Sequence, residues 1–299
     1  MRVHHLNCGT MRPLGGKLVD GRPGLFRRAT MVCHCLLLET VAGLVLVETG
    51  MGTPAAVDRN AWLGAGFVRQ SNPVEDPAQT AIAQIRALGF DPADVRDIVL
   101  THLDLDHAGG LIDFPWARVH VYAEELRAFR QPRDAAERGR YRTIQFAHGP
   151  QWTSYADTGE PWFGFDAVRQ LDGLPPEILL VPLSGHTRGH AGVAVDTGHG
   201  WLLNAGDSYF FHGQVDPAAP HCPPGLKWFE GRMETVQGAR LDNHRRLRQL
   251  VQEHGDEVTV FAAHDETDFL RLSTSDNRGF APGRGLRHPD PRKTSRSRV

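Results

Sequence analysis

"DIVLTHLDLDHAGG", Asp97 to Gly110, decides the fold and the chemistry. An apolar run, Ile98-Val99-Leu100, reads as a strand that ends at Thr101 and then delivers His102, Asp104, Asp106 and His107 within six positions, before two glycines. Few structural needs would put four possible metal ligands at one strand end. Working outward, two more apolar runs stop the same way: "WLLNAGD" at Asp207 and "VTVFAAHD" at His264. A fourth run, Ile178 to Leu183, opens into the loop "SGHTRGHAG", which carries His186 and His190.

Loops leaving the ends of neighbouring strands can converge, because rigid strands fix where the loops begin. Convergence here would bring about four imidazoles and three carboxylates together. Carboxylates that close repel one another and would protonate unless cations neutralised them. A pair of divalent ions meets that demand and also generates hydroxide near neutral pH while polarising an acyl or phosphoryl oxygen.

These residues resemble the metallo-β-lactamase-fold hydrolases. The family signature HxHxDH stands here as His102-Leu-Asp104-Leu-Asp106-His107, and "GHTRGH", "AGD" and "AAHD" follow in the family's order. Within the superfamily the chain is most similar to the N-acyl-homoserine lactonase group, through "CHCLLLETVAGLVLVETGM", the metal segment and "AHDE", from about Val32 to Asp265.

The resemblance implies an α/β fold, a four-layer αββα sandwich, and a binuclear centre. Metal 1 would be held by His102, Asp104 and His190, and metal 2 by Asp106, His107 and His264, with Asp207 bridging. It implies Asp106 as the acid/base that serves the leaving group, and it offers Tyr209 as support for an oxyanion, against packing in the core as the alternative. Tyr209 lies two residues after Asp207, where the lactonases have a spacing of three. His186 is expected either to support a ligand from behind or to be structural, since the resemblance assigns the ligand role to the later histidine. Asp104 departs from the pattern, which has histidine there. It is either a harder ligand or a carboxylate that orients a neighbouring histidine. Flavodiiron proteins also place a carboxylate at this position. Two Zn2+ ions are expected, with Fe or Mn as the metals an extra carboxylate would favour.

The remainder of the chain bounds the reading. With 299 residues, 40% of them hydrophobic, it is long enough for a substantial core. The 33 basic and 35 acidic residues nearly cancel, so no global field attracts nucleic acid or an anionic membrane. The expected partner is a small acyl substrate, with no nucleic acid and no membrane. No segment approaches a membrane span, the N-terminus lacks an apolar leader, and Cys8, Cys33, Cys35 and Cys222 form no CxxC pair. A cytoplasmic protein with buried, reduced thiols is expected.

Strands are expected at "RVHHLN", Met31–Glu39 and Gly43–Gly50. A helix capped by Asp76-Pro77 should span "AQTAIAQIRALG", and another should run from Ala239 to His254, carrying His244 at the core edge. Irregular insertions are expected at 52–75 and 131–170, with Trp152, Tyr155, Trp162, Phe163 and Phe165 packing there or lining an acyl pocket. Among histidines without ligand spacing, His212 is the one that could face a pocket mouth. Residues 1–272 are read as the catalytic domain and 273–299 as a polar, basic, disordered tail. Three functions follow. The first is hydrolysis of a lactone, ester or thioester, and the second is a non-haem iron oxidoreductase acting on oxygen or a persulfide. The third, a non-catalytic binding module, is disfavoured by the intact seven-residue set.

Overall fold

The computed structural model describes residues 1–236 and 238–274. The first sheet takes its strands in chain order: β1 (Arg2–Met11), β2 (Met31–Thr40), β3 (Gly43–Val47), β4 (Val95–Val99), β5 (Arg118–Tyr122) and β6 (Gln151–Tyr155). The second is built from β7 (Glu160–Trp162), β8 (Phe165–Gln170), β9 (Ile178–Pro182), β10 (Ala191–Asp196), β11 (Trp201–Asn204) and β12 (Val258–Phe261), also in chain order across the sheet. β3 to β6 are mutually parallel, as are β11 and β12, so the ends of β3, β4, β11 and β12 can share a rim.

Both faces of each sheet are covered, which explains why the strands read as unbroken apolar runs rather than alternating ones. Leu36, Leu38, Val45, Val47 and Val99 of the first sheet meet Ile178, Leu180, Val193, Val195 and Leu202 of the second in the central core. Their neighbours face outward: Leu37, Leu46 and Ile98 pack with Ile85 and Leu126 of two helices, Ala81–Ala87 and Ala123–Arg130. Leu179, Val181, Ala194 and Leu203 pack with Leu247 and Leu250 of the helix Ala239–His254. The result is the expected αββα sandwich.

Three expectations about elements change. Asp76 caps only a single turn, Pro77–Gln79, and it is Thr80 whose hydroxyl accepts from Ala83 N–H (3.3 Å) to start the helix Ala81–Ala87. Residues 131–170 are not irregular, because β6, β7 and β8 lie there. These strands sit toward sheet edges with partly exposed faces, so their sequences lack a clean period. Trp162 and Phe165 pack in the outer core of the second sheet and Tyr155 in the central one. Residues 53–71 form three short helices. Among the described residues no helix is long and apolar enough to cross a membrane. The last helix is Glu266–Ser273, and beyond Thr274 the expected basic tail lies outside the described residues.

Candidate metal centre

The site forms on the rim where β3, β4, β11 and β12 end. Backbone bonds stitch the two sheets together there: Ala191 N–H donates to Thr101 O (2.9 Å), and His34 N–H donates to Ala263 O (2.9 Å). Among the described residues, three groups bring donor atoms within 4.8 Å of one another: His102 with His186 and Asp207, His107 with Asp207 and His264, and Cys33 with Asp106 and His264.

Asp207 faces both halves of the site. Its Oδ1 lies 3.4 Å from His107 Nε2 and 3.2 Å from His264 Nε2, and its Oδ2 lies 3.3 Å from His186 Nε2 and 3.7 Å from His102 Nε2. In the half around His264, Asp106 Oδ2 is 3.5 Å from His264 Nε2. The two imidazoles there are turned by what holds their other nitrogens. His107 Nδ1 is 2.5 Å from Glu48 Oε2, and His264 Nδ1 donates to Val32 O (2.7 Å). In the neutral rings both Nε2 atoms are thereby left as acceptors, 3.2 Å apart, facing an Asp207 oxygen that has no hydrogen-bond partner among the described residues. Such a cluster of acceptors, fully buried, calls for a cation. Burial alone would disfavour charge on His107 and His264, yet Asp207, with Glu48 at His107, raises both well above the usual imidazole range. The same contacts, against burial, hold Asp207 well below the usual carboxylate range.

The other half departs from expectation at two residues. His190, read as a ligand, spends both ring nitrogens on backbone: Nδ1 donates to Leu183 O (3.1 Å) and Nε2 accepts from Asp207 N–H (2.9 Å). It therefore positions Asp207, and burial keeps it neutral, well below its usual pKa. The earlier histidine of the loop, His186, faces the site instead. Asp104, read as a ligand or an orienting group, is gripped by a guanidinium: Arg140 Nε and Nη2 donate to its Oδ1 and Oδ2 (2.6 and 2.8 Å). Burial would push the Asp104 carboxyl up, but Arg140 and the nearby histidines hold it well below the usual range. Arg140 Nη2 also lies 2.5 Å from His186 Nε2, and burial followed by that cation pushes His186 down to about 4. His102 Nδ1 pairs with the Thr101 hydroxyl (2.9 Å), leaving Nε2 without a partner.

Tyr209 proves to be a core residue. It has no exposed surface, packs with Leu179, Val181 and Leu247, and its hydroxyl has no partner among the described residues. His212 lies beside the site, bonded through Nδ1 to Asp265 (2.8 Å). Burial opposes its charge, but that carboxylate raises its pKa. His244 is buried, with Nε2 bonded to Ser208 O (2.6 Å).

Four contributors were not singled out from the sequence. Glu48 is buried at φ 62, a strained conformation for glutamate, and its second oxygen accepts from Thr101 N–H (2.5 Å). The only signal was an acid directly after an apolar strand. Glu125, fully buried, accepts from Leu103 N–H (2.9 Å) and Gly189 N–H (3.3 Å), tying the metal segment to the histidine loop. Arg140 comes from a helix in a region without period. Cys33 adjoins Asp106 and His264, and burial pushes its thiol up to about 11. A shallow cleft, open to solvent, reaches His264 between Met31, Phe210, Leu226 and Arg22.

A family model described as the metallo-beta-lactamase superfamily matches residues 29–243. The chain belongs to that superfamily. That membership, with the metallo-hydrolase relatives below, supports a metal-dependent hydrolase. It is 40% identical over 266 residues to a probable metallo-hydrolase of Mycobacterium tuberculosis, spanning 89% of this chain and 80% of that one. It is 28% identical over 232 residues to the N-acyl homoserine lactonase AttM of Rhizobium radiobacter, spanning 77% of this chain and 80% of that one. Among solved structures, a mutant of AiiA from B. thuringiensis with N-decanoyl-L-homoserine bound at its active site superposes with a TM-score of 0.67 at 20% identity, covering 90% and 95% of the two chains. AidC, described as a dizinc quorum-quenching lactonase, superposes at 0.53 with 16% identity over 88% and 86%. At those identities the superpositions show the shared fold alone.

Proposed function

We propose that the chain hydrolyses a small acyl substrate, a lactone or a related ester or thioester, at a metal held by Asp106, His107, His264 and Asp207. The observation that carries this is the convergence of His107 Nε2, His264 Nε2 and Asp207 Oδ1, mutually 3.2 to 3.4 Å apart, a set that only a proton or a metal ion can satisfy. Zinc suits two imidazoles and carboxylate oxygens. When bound, a divalent ion supplies hydroxide near neutral pH and polarises the carbonyl oxygen.

The protein's own groups do the rest. Glu48 and Val32 O keep both imidazoles aimed inward, and His190 fixes the backbone of Asp207. Asp106, about 10% exposed at its side chain, carries the proton to the leaving alkoxide. The cleft beside His264 takes the acyl portion against Met31, Phe210 and Leu226, leaving polar contacts to Arg22. The lactonase relatives support a cyclic ester as substrate. The carboxylate that motivated an iron oxidoreductase, Asp104, is committed to Arg140, which removes the ground for that alternative.

The test is a panel of acyl lactones, linear esters and thioesters with the purified protein, before and after chelation. Hydrolysis that is lost on chelation and returns with zinc supports the reading, and turnover that survives complete metal removal refutes it.

A further inference from the structure

The two halves of the site are built differently. Around His264, the neutral imidazoles and the carboxylates face one another as acceptors with only the Cys33 thiol beside them, and no cation among the described residues competes. Around His102, the chain supplies its own cation. Arg140 is buried, with its side chain 7% exposed, and all three guanidinium nitrogens are placed: Nε and Nη2 on the two oxygens of Asp104, Nη1 on Met233 O (2.7 Å) and Nη2 also against His186 Nε2. Its helix, Ala135–Arg140, is fastened to the histidine loop by the Glu137–Arg188 ion pair (2.6 Å), also buried.

The decisive atom is His186 Nε2. A carboxylate has lone pairs to spare, but an imidazole nitrogen has one at most. If His186 Nε2 is unprotonated, Arg140 Nη2–H occupies that lone pair. If it carries the proton, directed at Asp104 Oδ2 (3.0 Å) or Asp207 Oδ2 (3.3 Å), there is none. In either tautomer it cannot bind a metal while Arg140 stays. A metal in this half would then keep only His102 Nε2 and Asp207 Oδ2 without contest. The extra negative charge of Asp104, which elsewhere would ask for a metal, is already met by the guanidinium.

We propose that Arg140 is the resident cation of the His102 half, so that the chain holds one divalent ion tightly, at Asp106, His107, His264 and Asp207, and binds a second at least about tenfold more weakly. This rests on the metal-hydrolase reading and adds an unequal stoichiometry to it.

The test is titration of the chelator-stripped full chain with Zn2+, and with Co2+ followed by its visible absorption, with retained metal counted by elemental analysis after desalting. One ion per chain is expected, with a separate, weaker second phase. Arg140→Met removes the guanidinium while keeping an unbranched apolar stem, and the second phase should tighten by about tenfold or more, so that two ions are retained. Arg140→Lys, which keeps the charge but cannot span both Asp104 oxygens and His186, should tighten it less. Circular dichroism reports whether each variant folds. If the methionine variant does not, the lysine variant and the wild-type stoichiometry decide. Two ions of equal affinity in the wild type, or a folded Arg140→Met protein that still retains one, would overturn the proposal. A chain that retains none overturns the metal-hydrolase reading along with it.

Discussion

Replacing Glu48 with glutamine probes the site through a residue that faces its ligand from behind. Glu48 offers one oxygen to His107 Nδ1 and the other to Thr101 N–H, each at 2.5 Å, from a side chain almost fully buried. An amide of the same shape can satisfy only one of these donors. If its oxygen stays on Thr101, its NH2 faces His107 Nδ1 and drives the imidazole proton to Nε2, the atom that faces His264 and Asp207. If it turns over, two N–H donors confront each other at Thr101, at a cost of about 1–3 kcal/mol for the unsatisfied group. Residues that orient a metal-bound histidine in this way change metal affinity by roughly 10- to 100-fold, about 1.4 to 2.7 kcal/mol. Competition for zinc against a chromophoric chelator at neutral pH measures this directly, and the same preparation gives the hydrolysis rate. Glu48→Gln should weaken zinc within that range while the protein remains folded. An unchanged affinity would refute the view that Glu48 sets the tautomer of His107.

Two further outcomes follow from the surrounding structure. Asp97 accepts from His120 Nε2 (2.9 Å) and from Arg118 Nε (2.8 Å), and although burial opposes it, these partners hold its carboxyl below the ordinary 3.8. Its stabilisation is therefore fully present above that value and lost as pH falls through the lower folded value. Denaturant unfolding should show Asp97→Asn weaker by about 1–3 kcal/mol at neutral pH, with the gap closing below about pH 4. Gly206 has φ 54, and a Cβ there would lie 2.6 Å from His190 Nε2 and 2.8 Å from Thr101 Oγ1. Gly206→Ala should cost about 1–3 kcal/mol and also lower zinc retention, because the displaced His190 lets go of the Asp207 backbone, as thermal melts and elemental analysis would show.

The strands and the long helix Ala239–His254 were legible because burial on both faces writes continuous apolar runs, while one-sided burial writes a helical period; the layer order came from the family resemblance. The ligand segments were legible for a similar reason: His102 to His107, Asp207 and His264 each follow such a run directly, so chemistry and strand end coincide in the chain. What escaped depends on convergence. His186 and His190 lie in the same eight-residue loop, and only the positions of Leu183 O and Asp207 N–H, set by how the loop turns back into β10, decide which ring faces inward. Arg140 lies 36 residues from Asp104, and its helix has too few turns to show a period. For Tyr209 the sequence left a site role and core packing both open, and the fold puts its ring in the outer core of the second sheet.

The partnership of Asp104 and Arg140 also shows why a motif read one position at a time misleads. Taken alone, a carboxylate at position 104 looks like a ligand substitution and suggests a harder metal. With its partner in view, it anchors a guanidinium. A histidine at 104 with Arg140 retained would leave that cation buried against His102 and His186 without the carboxylate it is hydrogen-bonded to, a state costing several kcal/mol. Removing Arg140 while keeping Asp104 would leave a buried anion beside Asp207, which restores the demand for a second metal. The two positions are therefore one electrostatic unit, and the choice it makes is between a protein cation and a metal in the His102 half. The His264 half has no such choice: Glu48 and Val32 O fix its imidazoles, and only an added cation, metal or proton, satisfies them.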